Sequence, residues 1–263
     1  MVPVILINWG CQSHLHPVIM QAQKFNKNVF LIGDNTNGHL ASHFNISDYS
    51  EKASNFGKLY QHLSTNGHDV ELFCFQRWFV LEEFMARRGL KRCLYIDSDI
   101  LLYANAEQEI KNYDQFDFTL SHRCCGSTSF FKYEGLSKLC NFIMETYSNK
   151  SSYEYEKISS HYYIRQKHNL GGGVCDMTLL EFYSYKICGS IGEMMHIVNG
   201  ATWDHNINES DQGFEMKNGI KNIQFHPIEK IPTCKHFTGE DIKFKSLHFQ
   251  GPAKRYINQY VSQ

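Results

Sequence analysis

The sequence predicts an α/β fold, one open and mostly parallel sheet flanked by helices, in a single domain with a C-terminal extension. Three observations carry this. Val2 to Asn8 is an apolar run that does not alternate, as expected of a strand buried on both faces. Helical spacing follows from His16 to Asn26 (Val18, Ala22, Phe25), and then a second short run from Asn28 to Ile32. Strand, helix, strand in that order implies a parallel unit. Further on, an aromatic helical pattern from Val70 to Arg88 runs into another buried strand around Leu94.

Composition bounds the rest. A chain of 263 residues with 42% hydrophobic and 14% aromatic content can bury one large core. Lys and Arg number 26 against 27 Asp and Glu, a formal charge of -1, so no global field draws in nucleic acid and none is expected as a partner. The N-terminal apolar run lacks a basic lead and a small-residue cleavage site, and nowhere do eighteen apolar residues run together. The expectation is a soluble, cytoplasmic protein with no transmembrane segment. Nine cysteines, with no zinc-type C-x-x-C pair, read as reduced and mostly buried thiols, and the fourteen histidines are scattered rather than tracted.

Taken in order, the first strand ends at Asn8-Trp9-Gly10 and the second at Gly33-Asp34-Asn35. In open α/β sheets ligands bind beyond the carboxyl ends of the strands, which makes Asn8, Trp9 and Asp34 pocket candidates by position. The first strand is followed by no G-x-G-x-x-G and the chain has no P-loop, which argues against a dinucleotide oxidoreductase. In the helix from Val70 to Arg88, Leu72, Phe75, Trp78, Phe79, Leu81 and Phe84 face inward, and Arg77 among them either snorkels to solvent or is held toward an anion in the cleft.

The run from Arg92 to Tyr103 is the centre of the chain. Apolar residues enter Asp97-Ser98-Asp99 and leave it again, with no Gly or Pro to mark a surface turn. Two ionised carboxylates at the end of a buried strand need a partner, and a divalent cation is the simplest. A short helix is expected from Glu107 to Tyr113, strands from Phe116 to Ser121 and Ser127 to Phe131, and an amphipathic helix from Gly135 to Tyr147 with Leu136, Leu139, Cys140 and Ile143 inward. The polar, tyrosine-rich stretch from Ser148 to Lys167 reads as a mobile lid, an acceptor loop or a plain surface excursion. The glycines Gly171 to Gly173 let the backbone approach a ligand or another strand, or simply turn, and Asp176 is placed to cap a helix through Leu179, Leu180 and Tyr183. Near the end, His248, Gly251 and Lys254 let one tight loop bring an imidazole, a free backbone and an ammonium to one site. Imidazole suits Mn2+ better than Mg2+, though Mg2+ remains possible, and the lysine supplies a point charge for phosphate.

The order Phe75-x-Arg77, Asp97-x-Asp99, Asn169-x-Gly171-x-Gly173, Asp211-Gln212 and His248-x-x-Gly251-x-x-Lys254 resembles the nucleotide-sugar glycosyltransferases of the GT-A fold. The nearest group is the retaining one that holds glycogenin, galactinol synthase and bacterial lipopolysaccharide galactosyltransferases. The resemblance implies a GT-A type, Rossmann-like sheet over residues 1–263, with a nucleotide-binding half (1–120), an acceptor and donor-sugar half (121–246) and a metal and diphosphate segment (247–263). It implies a UDP-sugar donor, a glycan or glycoconjugate acceptor and transfer of a hexose or deoxyhexose with retention. Asp97 would lie near the ribose and the metal, Asp99 and His248 would bind Mn2+, and Gly251 with Lys254 would hold the diphosphate. Arg77 would reach the donor sugar or its phosphate, Asn169 would lie near that sugar, Asp211 would bind its hydroxyls, Gln212 would face the anomeric carbon, and Asn8 with Trp9 would border the uracil. Arg255-Tyr256 stands where that group has Pro-Trp, which keeps open an inverting variant with Asp34 as base. Two other classes share some of these features. A sugar nucleotidyltransferase would want a glycine-rich, basic loop after the first strand, which is missing, and a non-catalytic carbohydrate-binding relative would have little use for a diphosphate lysine.

Overall fold

The computed structural model describes residues 1–40, 42–122, 124–187, 189–210 and 212–261. The strands that build its main sheet are β1 (Val4–Asn8), β2 (Val29–Gly33), β3 (His43–Asn45), β4 (Arg92–Ile96), β6 (Phe118–Leu120), β7 (Thr128–Lys132) and β8 (Ile191–Glu193). Among the described residues these form one seven-stranded sheet in the order β3-β2-β1-β4-β7-β6-β8. The pairings from β3 to β4 and between β6 and β8 are parallel, and β7 runs antiparallel to both neighbours. The expectation of an α/β, mostly parallel sheet therefore holds.

The continuous apolar run of β1 has a simple cause. Successive side chains point to opposite faces, so Val4 and Leu6 enter one core with α1 (Leu15–Phe25), while Ile5 and Ile7 enter another beneath α3 (His68–Arg87). On that second face Phe75, Trp78, Phe79 and Phe84 of α3 are buried against Cys93 and Tyr95 of β4 and against α5 (Tyr133–Ser148). Leu136, Leu139, Cys140 and Ile143 of α5 face inward as the spacing predicts. Each such side chain taken fully out of water contributes about 1.5–3 kcal/mol before entropy is counted.

Beyond β4 the chain turns through Asp97 to Asp99 into β5 (Ile100–Leu102), which leaves the main sheet and pairs antiparallel with β15 (Ser246–His248) near the other end of the chain. A second sheet, order β12-β13-β14-β9, is made by β9 (Ala201–Thr202), β12 (Gln224–Phe225), β13 (Pro232–Lys235) and β14 (Asp241–Phe244), with a hairpin of β10 (Met216–Lys217) and β11 (Ile220–Lys221) beside it. The eight cysteines among the described residues are free. No helix among the described residues is long and apolar enough to cross a membrane.

Two local expectations are corrected. The stretch Ser148 to Lys167 is not a loop: Tyr153–Lys167 is a helix, α6, with the Ser152 hydroxyl accepting from the Tyr155 amide at 3.1 Å. It buries only Tyr155 and Ile158, so it lacks the apolar stripe that would have announced it. Asp176 does not cap α7 (Asp176–Lys186); Cys175 occupies the cap and Asp176 is the first helical residue, its carboxylate drawn inward to Arg77 and Trp78. Of the three glycines, Gly173 lies closely against Leu63 and Ser64: it bridges Ser64, and a Cβ there would lie 2.3 Å from the Leu63 carbonyl oxygen.

Candidate metal and nucleotide site

β1 and β4 lie side by side and parallel, and the chain leaves their carboxyl ends as Trp9 and Asp97. Between these ends and α3 lies a cleft of about 620 Å³ lined by Asn8, Trp9, Gln12, Phe73, Cys74, Arg77, Asp97, Ser98, Asp99 and Lys254, among others. Its outer wall is aromatic. Trp9 is 61% exposed and meets Phe73 edge to face, ring centroids 5.7 Å apart. A tryptophan left this open in a cleft is a stacking surface for a planar ring. Asn8 behind it is buried, its amide donating to the Gly10 carbonyl at 2.7 Å.

The inner wall is charged. The antiparallel register of β5 and β15 sets His248 opposite Ile100, and the Phe249 amide donates to the Asp99 carbonyl at 3.0 Å. That pairing carries the imidazole across almost 150 positions of sequence to Asp99. One ligand atom from each of Asp97, Asp99 and His248 falls within 4.8 Å of the others, two oxygens and a nitrogen around one point. His248 Nδ1 lies 2.5 Å from the His205 carbonyl oxygen, which can only accept, so Nδ1 carries a proton and Nε2 faces Asp99 Oδ1 at 3.5 Å. An imidazole held this way by its other nitrogen is the usual arrangement of a metal ligand. The donor set fits a borderline divalent ion.

Without a metal these groups neutralise one another. Burial would push the His248 imidazolium down, but its bond to Asp99 and the Asp99 charge outweigh that and raise it to about 10. Burial would raise Asp99, yet His248 and then Lys254, whose Nζ lies 3.2 Å from Oδ2, bring it to about 2. Asp97 is raised by burial, against the pull of Arg77 and with the charge of Asp99. Both Arg77 Nη1 and the Tyr95 hydroxyl donate to its Oδ1, each at 2.6 Å, which leaves Oδ2 for a ligand.

Of the two expected arrangements Arg77 takes the second: it is held toward an anion that lines the cleft, the Asp97 carboxylate, and does not snorkel to solvent. It is 13% exposed and clamped between carboxylates, Nη1 on Asp97 and Nη2 on Asp176 Oδ2 at 2.7 Å, with its guanidinium 4.5 Å over the Trp78 ring. Lys254 reaches Asp99 from a 3-10 turn over Gly251–Tyr256, and Gly251 opens that turn at φ +57°, a left-handed value that a side chain would resist.

Other anticipated residues stand apart from the cleft. Asp34 caps the 3-10 turn Asn35–Asn37, accepting from the Thr36 amide at 3.0 Å and the Gly10 amide at 2.8 Å. Burial would raise its pKa, but the Thr36 hydroxyl and these two amides together outweigh that and lower it. Asn169 is exposed just past α6 in the left-handed region, φ +53°. Asp211 lies outside the described residues. Gln212 turns inward, donating to the Trp203 carbonyl at 3.3 Å and accepting from Lys221 at 3.1 Å; it lines a second cavity of about 270 Å³ with His122 and Glu193.

Several participants escape the sequence reading. Tyr95, two residues before Asp97 on the same face of β4, was open to detection from the strand period. Asp176, Asp204, His205 and Lys221 were not, because what recruits them is tertiary contact.

No family model matches the chain, and no curated protein matches it. Solved structures do. Mouse xyloside xylosyltransferase 1 in its apo form is 8% identical, covering 76% of this chain and 87% of its own, with a TM-score of 0.50. The galactosyltransferase LgtC in complex with donor and acceptor sugar analogs is 11% identical, covering 99% of this chain and 95% of its own, again at 0.50. The fold is thus that of the GT-A glycosyltransferases.

Proposed function

We propose that this chain is a glycosyltransferase that moves a hexose or deoxyhexose from a UDP-sugar to a hydroxyl of a glycan or glycoconjugate, using Mn2+ or, less well, Mg2+. The observation that carries the proposal is the convergence of Asp97, Asp99 and His248 beside Lys254 at the carboxyl ends of β1 and β4. A bound divalent ion would supply charge neutralisation for the departing diphosphate. The chain's own residues do the rest. Lys254 adds a positive charge where the leaving oxygens become negative, and its turn, opened by Gly251, leaves room beside it for phosphate. Trp9 and Phe73 offer the base an aromatic corner, and Tyr95 with Arg77 fixes Asp97 so that one of its oxygens stays available.

Retention is favoured over inversion. An inverting enzyme needs a carboxylate free to take the acceptor's proton, and Asp34 is occupied by Gly10 and Thr36 and held below the ordinary range. The resemblance assigns Asp211 and Gln212 to the sugar side, and Gln212 would have to act from the second cavity, as Asn169 would have to come to the donor from its exposed turn. The free thiols favour the cytoplasm. Isothermal titration of UDP with and without Mn2+ tests the proposal: binding is expected only with the metal, and equal, negligible heats would overturn it. Asp99→Asn and His248→Ala are each expected to abolish transfer in a folded protein. Release of pyrophosphate instead of UDP would point to a nucleotidyltransferase.

A further inference from the structure

The second half of the chain contains a lysine and a carboxylate with no exposure at all. Lys221 Nζ lies 2.7 Å from Asp204 Oδ1, and both side chains are 0% accessible. All three ammonium hydrogens have partners, since Nζ also donates to the Asn206 carbonyl at 2.6 Å and to Gln212 Oε1 at 3.1 Å. The other Asp204 oxygen accepts from the backbone amide of His248 at 2.9 Å. The next residue, His205, supplies the carbonyl that holds His248 Nδ1. The Lys221 and His248 backbones are joined to the same short segment, through Lys221 N to Ile207 O at 2.7 Å and Ile207 N to His248 O at 2.9 Å.

We infer that Lys221 and Asp204 are positioning residues for the metal site, fixing the segment Asp204 to Ile207 so that His248 presents Nε2 to Asp99. The inference rests on the metal-dependent reading above. A fully buried ion pair loses the hydration of both ions, and replacing it with apolar side chains of similar volume is often neutral or stabilising. Fold stability alone therefore does not account for it. What an apolar pair cannot supply is direction: it would leave the His248 amide without its acceptor and take the ammonium away from the Asn206 carbonyl and the Gln212 amide oxygen. The ammonium ties three separate stretches of chain, Asp204 to Asn206, Gln212 and its own hairpin, to the strand that carries the imidazole. Outer-shell partners of metal ligands typically change metal affinity by about 10- to 100-fold when removed. Lys221 acts through Asp204, so the lower end of that range is expected.

The test separates position from fold. Mn2+ affinity in the presence of UDP is read from the electron paramagnetic resonance of free Mn2+, with melting temperature measured alongside, for wild type, Asp204→Asn, Lys221→Met and the double variant Lys221→Met/Asp204→Leu. Lys221→Met alone leaves a buried charge and is expected to melt much lower or fail to fold. The double variant removes both charges and is expected to recover the melting temperature while binding Mn2+ about 10-fold more weakly than wild type. Asp204→Asn keeps the shape but leaves the Lys221 ammonium buried without its counter-ion, so it too is expected to melt lower than wild type, and to weaken Mn2+ likewise at temperatures where it is folded. Wild-type Mn2+ affinity in either folded variant overturns the inference. A wild-type protein that takes up no Mn2+ with UDP overturns the functional reading, and this inference with it.

Discussion

Asp176→Asn is the substitution that best isolates how the first carboxylate of the site is held. Asp176 Oδ2 accepts from Arg77 Nη2 at 2.7 Å and from Trp78 Nε1 at 3.0 Å, and the same guanidinium reaches Asp97. An asparagine keeps an oxygen for these donors but removes the charge. Hydrogen bonds to charged groups contribute about 1.5–3 kcal/mol against about 0.5–1.5 for neutral ones. The expected loss is therefore about 1–2 kcal/mol, or roughly 3–6 °C in melting temperature for a chain of this size. Asp176→Ala removes the acceptor altogether and leaves Arg77 Nη2 and Trp78 Nε1 without it, two unsatisfied donors for which roughly 2–5 kcal/mol is expected. The functional consequence follows from the clamp. With one carboxylate gone, the guanidinium has Asp97 alone to bind and draws it harder, so Mn2+ affinity in the presence of UDP should weaken although Asp176 itself binds no metal. Differential scanning calorimetry and a Mn2+ titration on the same preparations decide the matter. A melting temperature within 1 °C of wild type, together with unchanged Mn2+ affinity, would refute the clamp.

Three further outcomes are expected. Trp9→Ala should raise the dissociation constant for UDP by roughly 5- to 150-fold, the loss of about 1–3 kcal/mol of stacking on one base, with little change in melting temperature because the ring is mostly exposed; Trp9→Phe should restore much of it in the same titration. In the metal-free protein the His248 imidazolium, raised from 6.5 to about 10, contributes stability that is complete below pH 6.5 and is lost as the pH rises through 10. Asp99, lowered from 3.8 to about 2, contributes stability present above pH 3.8 and lost as the pH falls through 2, so the urea midpoint should be lower at pH 9 than at pH 6; the reverse order would count against the pair. Gly173→Ala would set a methyl group against the Leu63 carbonyl and should cost about 1–3 kcal/mol by calorimetry.

How much of this was legible in the sequence depends on what each residue answers to. β1, α1, β2 and α3 were readable because burial imposes a period on their own residues. The pair Asp97 and Asp99 was readable for the same reason: carboxylates following an apolar strand break its pattern. α6 was missed because a helix that buries only Tyr155 and Ile158 writes almost no period into its sequence. The small sheet was missed because two-residue strands such as β9 and β12 are too short to alternate. Arg77 was recognised as a charge in an apolar helix, but its partners could not be, since Asp97 and Asp176 lie 20 and 99 residues away and nothing local selects them. Lys221 was wholly silent, a lysine in a hairpin that reads as surface until the fold closes over it.

The site itself turns on one register. His248 reaches Asp99 only because β15 pairs with β5 with His248 opposite Ile100, and successive side chains of a strand point to opposite faces. A slip of one residue would turn the imidazole away and present Leu247 or Phe249 to the carboxylates. Both neighbours are fully buried apolar residues of the core, so a slip would also put core side chains against charge and His248 among apolar ones. The hydrophobic pattern around the histidine therefore enforces the geometry of the site, and Asp204, accepting from the His248 amide itself, holds the same register from the outer edge of β15. Packing and polar contacts agree on a single alignment, which is how two strands nearly 150 residues apart can hold an imidazole in place beside a carboxylate.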